Sequence, residues 1–358
     1  MVKKRICIKL GSNVLANDNG ELNVERISSI VKQLAKAISM GFQPILVSSG
    51  AVAVGRARVK MPHKMNSVSA RQVWSSVGQV ELLNIYSSMF SEYGIVCSQV
   101  LVTKQDFRTR EHYLNMKNCL TSLLETNIIP IINENDAVSV TALMFTDNDE
   151  LSGLISEMMN VDSLFLLSNI NGIYNGHPDD SSSSVIRTVD ADLNKIKKYI
   201  QTTKSNFGRG GMLTKCNIAS RVAKSGIRVH IANGETEDIL ISLLNDRDSV
   251  DHTMFLPNKR TSSVKKWLEC SEGFAKAKVT INMGALDALC SLKATSLLPV
   301  GITAFEGDFQ KGDIIKIIDE SENLIGIGKA QYDKKMAEKY QGKTGVRPLI
   351  HYDYLLLY

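Results

Sequence analysis

Short apolar runs alternate along the first two thirds of the chain with longer segments whose apolar positions recur every three or four residues. The runs fall at 5–10 (RICIKL), 44–47, 95–102, 128–132, 163–167 (SLFLL) and 228–232. Between them, Val24, Ile27, Val31, Leu34 and Ile38 mark one face of a helix, and helical spacing returns over 70–93, 112–125, 151–159 and 236–244. Strands apolar on both faces and alternating with helices predict an α/β layer with a mainly parallel sheet. The alternation fades over 246–273, with a polar run at 258–266. Beyond it, 278–281, 313–318, 324–329 and 348–358 read as short strands joined by turns rich in glycine and charge, a small and mostly β domain.

In a parallel sheet, ligands gather beyond the carboxyl ends of the strands. Here those ends read Lys9-Leu10-Gly11-Ser12, Ser48-Ser49-Gly50, Asn133-Glu134-Asn135-Asp136 and Ser168-Asn169. Four polar or glycine-rich turns on one edge predict a site. The third is extended by a second polar cluster, Asp147-Asn148-Asp149-Glu150. Either cluster alone reads as an ordinary turn. Two of them bracketing one apolar segment point to a site, because each unpartnered buried polar group costs roughly 1–3 kcal/mol.

A glycine-rich loop, Gly208-Arg209-Gly210-Gly211, leads through Met212, Leu213 and Thr214 to Lys215 and a helical pattern. Such a loop offers backbone N–H groups and a positive helix end to an anion. Taken alone, it reads as a flexible surface loop with a solvated lysine. No G-x-x-x-x-G-K-[ST] or G-x-G-x-x-G motif occurs in the chain. The segment 177–184 (HPDDSSSS) reads as a mobile surface loop.

Composition adds little. Over 358 residues, 42 Lys and Arg against 37 Asp and Glu give a net charge of +5, compatible with an anionic substrate and too mild to indicate a nucleic-acid binder. Six scattered cysteines, with no C-x-x-C pair or zinc spacing, read as reduced thiols, mostly core fillers. Neither a zinc enzyme nor a histidine-based triad is expected. The basic start MVKKRICIKLGSN has too short an apolar core for a signal peptide, and no apolar run suggests a membrane span, so a cytoplasmic protein is expected.

The order Lys-x-Gly-Ser (Lys9 to Ser12), V-S-S-G-A, N-E-N-D-A-V, D-N-D-x-L-S and G-G-M-x-T-K resembles the glutamate 5-kinase family of the amino-acid kinase superfamily. The stretch 295–302 (TSLLPVGI), followed by 307–313 (GDFQKGD), resembles the PUA domain that many bacterial members carry. The resemblance implies a three-layer αβα sandwich over 1–257, a linker over 258–275 and a PUA-like domain over 276–358. It implies ATP-dependent phosphorylation of the L-glutamate side-chain carboxylate to γ-glutamyl phosphate, the first step of proline biosynthesis, with magnesium bridging the phosphates of ATP. Lys9 and Lys215 would stabilise the phosphoryl group in flight, with Asp149 orienting them. Ser49, Gly50, Asp136 and Asn148 would hold glutamate, with Asp136 on its ammonium group. Lys9, Gly11, Ser168, Asn169 and the loop Arg209, Gly210, Gly211, Met212, Leu213, Thr214 and Lys215 would hold ATP. A homo-oligomer and feedback inhibition by proline are expected on the same ground. Two departures stand out: Ser168-Asn169 replaces the family's frequent Thr-Asp, and Asp179-Asp180 its Pro-Arg.

Two rival readings exist. A PUA domain suggests RNA binding, but the charges from Lys276 onward are mixed and the aromatics sit in the last strand, so RNA binding is not expected as the main function. A kinase for an acetylated amino acid would have no electrostatic need for Asp136, since an acetylated nitrogen carries no charge.

Overall fold

The computed structural model describes residues 3–17, 21–61, 65–108, 110–139, 145, 147–178, 180, 182–190, 211–245, 249–258, 267–268, 271, 273, 275–291 and 295–358. The chain divides into two compact units, one of 1–106 with 114–260 and one of 107–113 with 261–358.

The first unit runs β1 (Lys4–Leu10), α1 (Ser12–Leu15), α2 (Val24–Ser39), β2 (Phe42–Ser48), α3 (Ala51–Arg58), α4 (Ser67–Ser91), β3 (Cys97–Val102), α5 (Gln105–Arg108), α6 (Arg110–Glu125), β4 (Ile129–Glu134), α7 (Asn148–Met159), β5 (Ser163–Ser168), β6 (Thr188–Val189), α8 (Met212–Lys224), β7 (Arg228–Asn233), α9 (Ile239–Asn245) and β8 (His252–Phe255). The end of α5 (107–108) and the start of α6 (110–113) fall in the second unit. The eight strands form one sheet in the order β3-β4-β2-β1-β5-β7-β8-β6. β3 through β7 in that order are parallel, and β8 runs antiparallel to β7.

β1 lies at the centre, with Lys9 beside Val47 of β2 and Leu166 of β5. Side chains alternate across a strand, so Ile6, Ile8 and Leu10 point to one face and Cys7 and Lys9 to the other. The first set enters a core with Ile27, Val31 and Leu34 of α2 and Tyr86 and Phe90 of α4. The second meets α7: Cys7 Sγ lies 3.9 Å from the carbonyl of Ser152, and Lys9 reaches Asp149, one turn earlier on the same helix face.

Helix contacts fix the rest of the site edge. α3 and α4 cross with their backbones touching: a Cβ on Gly55 would stand 1.8 Å from the Trp74 carbonyl, and one on Gly78 1.8 Å from the Ala51 carbonyl. α7 and α8 meet at Gly153, where a Cβ would stand 3.0 Å from Ile218 Cγ2. One turn back along each helix lie Asp149 and Lys215.

The second unit holds a five-stranded sheet in the order β10-β9-β11-β12-β13, built from β9 (Ala277–Ile281), β10 (Ile302–Gly307), β11 (Ile314–Ile318), β12 (Leu324–Ala330) and β13 (Ile350–Leu357). Against it lie α10 (Met283–Cys290), α11 (Lys334–Tyr340) and a single 3-10 turn at Pro299–Gly301. Val279, Ile281, Phe309, Ile315, Ile317 and Leu349 form its core.

Some expectations need correction. β8 lies inside the stretch over which the alternation fades, and β6 and β10 escape the periodicity. The helix expected from Thr236 begins only at Ile239. The polar run 259–266 lies outside the described residues. Of the cysteines, Cys7 and Cys216 are buried, Cys97 is half-buried, and Cys119 and Cys290 are exposed, so core filling describes only some of them. In the segment after Tyr174, Asn175 and Ser184 pair through backbone and side chains and Asp180 Oδ1 accepts from the Ser182 N–H, while Asp179 lies outside the described residues. Among the described residues, no helix is long and apolar enough to cross a membrane.

Candidate active site

Asp147 starts α7: its Oδ1 accepts from the backbone N–H groups of Asp149 and Glu150, satisfying two first-turn donors. Asp149 and Glu150 then sit where the positive end of the helix favours anions. The Asp149 carboxylate, 1% exposed, lies between two ammonium groups, with Lys9 Nζ 2.6 Å from Oδ1 and Lys215 Nζ 2.8 Å from Oδ2. Burial pulls the Asp149 carboxyl upward, but the two ammonium groups and their hydrogen bonds outweigh it and hold it below the usual carboxylate range. Asp147 goes the other way. Burial, and then the charge of Asp149, push its carboxyl up. Its Oδ2 is buried with no hydrogen-bond partner among the described residues.

Asn148, between them in sequence, turns toward β2 and β4. Its Nδ2 donates toward the Ser48 carbonyl at 3.2 Å, Ser49 Oγ at 3.0 Å and Asn133 Oδ1 at 3.0 Å. Ser49 and Gly50 follow β2, and Gly50 has φ 106°, a left-handed conformation that glycine adopts without strain as the chain turns into α3. The carboxyl ends of β2, β4 and the start of α7 are thereby tied into one polar cluster.

At the end of β4, Asp136 is 7% exposed and receives two bonds from one arginine: Arg71 Nε donates to Oδ1 at 3.0 Å, and Nη2 lies 2.8 Å from the same oxygen. Arg71 Nη2 also stands 4.0 Å from Glu134 Oε2. Glu134 accepts from the Phe145 N–H at 3.0 Å. Burial, reinforced by the charge of Asp136, pushes the Glu134 carboxyl up to about 7.

On the other side of β1, the backbone N–H of Gly11 donates to the Leu167 carbonyl at 3.2 Å, and a Cβ on Gly11 would stand 3.4 Å from Lys9 Nζ. The ammonium of Lys9 therefore lies against bare backbone where β1 and β5 end. Ser168 is buried there, its hydroxyl 3.4 Å from Asn169 Oδ1. Gly211 precedes α8 and provides no side-chain cap, so Met212, Leu213 and Thr214 form a first turn without side-chain capping, from which Lys215 projects inward. Arg209 and Gly210 lie outside the described residues.

The structure thus brings Lys9, Lys215 and Asp149 into direct contact, and joins Asn148 to Ser49. Ser168 and Asn169 follow Leu167, whose carbonyl accepts from the Gly11 N–H at the end of the strand that carries Lys9. Sequence reasoning passed over Arg71, which is 65 residues from its partner and sits in a helix pattern with nothing to mark it. It also gave no role to Asn133, Glu134 or Asp147, although all three lie inside the two polar clusters.

A family model described as the amino acid kinase family matches residues 4–233, and a PUA domain model matches 277–352. A protein named glutamate 5-kinase from Bacteroides thetaiotaomicron is 53% identical over 99% of this chain and 98% of its own length. The chain belongs to the glutamate 5-kinase family. Another relative of that name, from Chlorobaculum tepidum, is 46% identical over 99% of this chain and 98% of its own. Among solved structures, a carbamate kinase from Giardia lamblia bound to AMP-PNP superposes with a TM-score of 0.53 at 13% identity, covering 72% of this chain and 99% of that one. That likeness speaks for the fold alone: a family member here has the shared kinase layer followed by a separate β-rich unit.

Proposed function

We propose that the chain transfers the γ-phosphoryl group of ATP to the side-chain carboxylate of L-glutamate, giving γ-glutamyl phosphate and ADP. The observation that carries this reading is the buried Lys9–Asp149–Lys215 triad. Phosphoryl transfer asks little covalent chemistry of the protein. It needs two reactants held in line and positive charge around the oxygens of the group in flight. Two ammonium groups fixed by the two oxygens of one carboxylate supply that charge without reorganising during the reaction.

In this reading the attacking γ-carboxylate oxygen and the γ-phosphorus meet beside Lys9 and Lys215. The ADP oxygen leaves as the new P–O bond forms. Asn148, Ser49 and Gly50 orient glutamate, and Asp136 receives its ammonium group. Gly11, Ser168, Asn169 and the first turn of α8 from Gly211 receive the nucleotide, the helix end offering N–H donors to its phosphates. No group of three or more metal-ligating side chains occurs among the described residues, so magnesium would be held chiefly by the phosphates. Asp147, with one buried unbonded oxygen beside the lysines, would supply a protein ligand, and the ion would offset phosphate charge. Feedback inhibition by proline, an analogue of cyclised glutamate, and self-association complete the proposal.

The test is ADP release measured side by side with glutamate, aspartate and N-acetylglutamate. Glutamate should exceed both others by at least tenfold in kcat/KM. Equal or better turnover of N-acetylglutamate would refute the assignment, because its neutral nitrogen has no use for Asp136.

A further inference from the structure

We propose that Arg71 is a specificity-determining residue that binds the α-carboxylate of the amino-acid substrate. The inference rests on the placement of the substrate ammonium at Asp136 in the functional reading above. An α-amino acid carries its ammonium and α-carboxylate on the same carbon. A site that seats the ammonium on a carboxylate therefore has the α-carboxylate beside that carboxylate.

Arg71 occupies the matching position. Its Nε and Nη2 both bond Asp136 Oδ1, at 3.0 and 2.8 Å, so the guanidinium is held edge-on to the proposed ammonium site. Among the described residues, Nη1 has no hydrogen-bond or ion-pair partner, and the side chain keeps 29% of its surface exposed. A guanidinium carries five N–H donors in a rigid fork, and Asp136 uses only one edge of it. The remaining donors are preorganised for a carboxylate.

Charge argues the same way. Glu134 and Asp136 are both buried, and both lie within 4.0 Å of Arg71. Two acids without the arginine would attract the ammonium and repel the α-carboxylate attached to it. With Arg71 present, the pocket offers a negative and a positive group side by side, the complement of a zwitterion. The helix that carries it is firmly seated: Gly78, two turns further along α4, touches the backbone of α3 at Ala51, and Gln72 donates to the Ala137 carbonyl at 2.8 Å.

A purely structural arginine would only hold Asp136 in place, and substrate analogues separate the two roles. The experiment measures kcat and KM for L-glutamate and for its α-amide, L-isoglutamine, with the full chain and with Arg71→Met and Arg71→Lys, folding being checked by thermal unfolding. The native chain should prefer glutamate over the α-amide by ~10- to 100-fold, the scale of one charge-assisted interaction, mostly in KM. Arg71→Met should raise the glutamate KM to near that of the α-amide and abolish the preference, and Arg71→Lys should restore part of it. Asp136→Asn should weaken both substrates equally and keep the preference. A native preference that persists in a folded Arg71→Met variant, or native chain that uses both substrates equally, overturns the inference while leaving glutamate phosphorylation intact. A native chain without activity on glutamate overturns the functional reading, and this inference with it.

Discussion

Lys215, in the first turn of α8, donates to Asp149, in the first turn of α7, across 2.8 Å, while Lys9 of the central strand holds the other oxygen of the same carboxylate at 2.6 Å. The carboxylate keeps two like charges close together and aimed at one place. Asp149→Asn removes the anion and leaves two buried ammonium groups facing a neutral amide. Breaking a buried pair in this way costs about 3–5 kcal/mol. The expected result is a lower melting temperature together with a fall in kcat of at least ~100-fold, the scale of losing preorganised electrostatic stabilisation. Steady-state ADP release and thermal unfolding measure the two effects, and a variant with near-native kcat would show that the triad is merely structural.

Lys215→Ala leaves the Lys9–Asp149 pair in place, since each lysine has its own carboxylate oxygen. Its effect should therefore fall on turnover. We expect kcat to drop by ~100-fold or more with at most a few-fold change in the KM for glutamate, because an interaction made in the transition state is removed. A large rise in KM with kcat preserved would place Lys215 in ground-state binding instead.

Glu134 gives a pH signature. Its carboxyl is pushed up to about 7 from 4.5 by burial and then by Asp136, with Arg71 and the Phe145 N–H pulling the other way. Between those two values the folded chain holds a proton that the unfolded chain has lost, so stability falls as pH rises through the window. Glu134→Gln, neutral throughout, lacks this contribution. Melting temperatures of the two proteins at several pH values from 5 to 8 should show the native chain losing ground to the variant as pH increases. Parallel curves would mean that Glu134 is ionised across the window. Asp149, held low, contributes in the opposite sense, and its contribution is lost only in acid, as pH falls through its folded value.

The crossing of α3 and α4 should tolerate no side chain. An added methyl at Gly78 would stand 1.8 Å from a backbone carbonyl that cannot rotate aside. Gly78→Ala should lower the melting temperature by about 5–10 °C, from an overpacking cost at or above the usual ~1–3 kcal/mol. It should also disturb glutamate binding, since α3 begins at Gly50 and α4 carries Arg71. An unchanged melting temperature would contradict the contact.

Much of the first unit is legible in the sequence because its strands are buried on both faces. β1, β2, β4 and β5 read as continuous apolar runs, and their parallel order puts four polar turns on one edge. β6 and β8 escape because they are short and mix threonine and histidine with apolar residues, and β10 because four of its six positions are exposed. In the site, the clusters at 133–136 and 147–150 can be recognised from residue type alone. That Lys9 and Lys215 grip one carboxylate follows from the central place of β1 and the packing of α8 on α7, which no local spacing encodes; the resemblance to known kinases supplied that pairing. Arg71 was missed because an arginine in a helix pattern looks like solvated surface until its partner is known.

In the proposed reaction the phosphoryl group passes to the side-chain carboxylate of glutamate. It is tested most directly with glutamate labelled with oxygen-18 in that carboxylate, turned over with ATP and trapped with hydroxylamine. Attack of hydroxylamine on the acyl carbon releases the bridging oxygen with phosphate, so the account predicts γ-glutamyl hydroxamate and one labelled oxygen in each phosphate released. ADP formed with unlabelled phosphate would mean that water or another group accepts the phosphoryl, and would contradict the account.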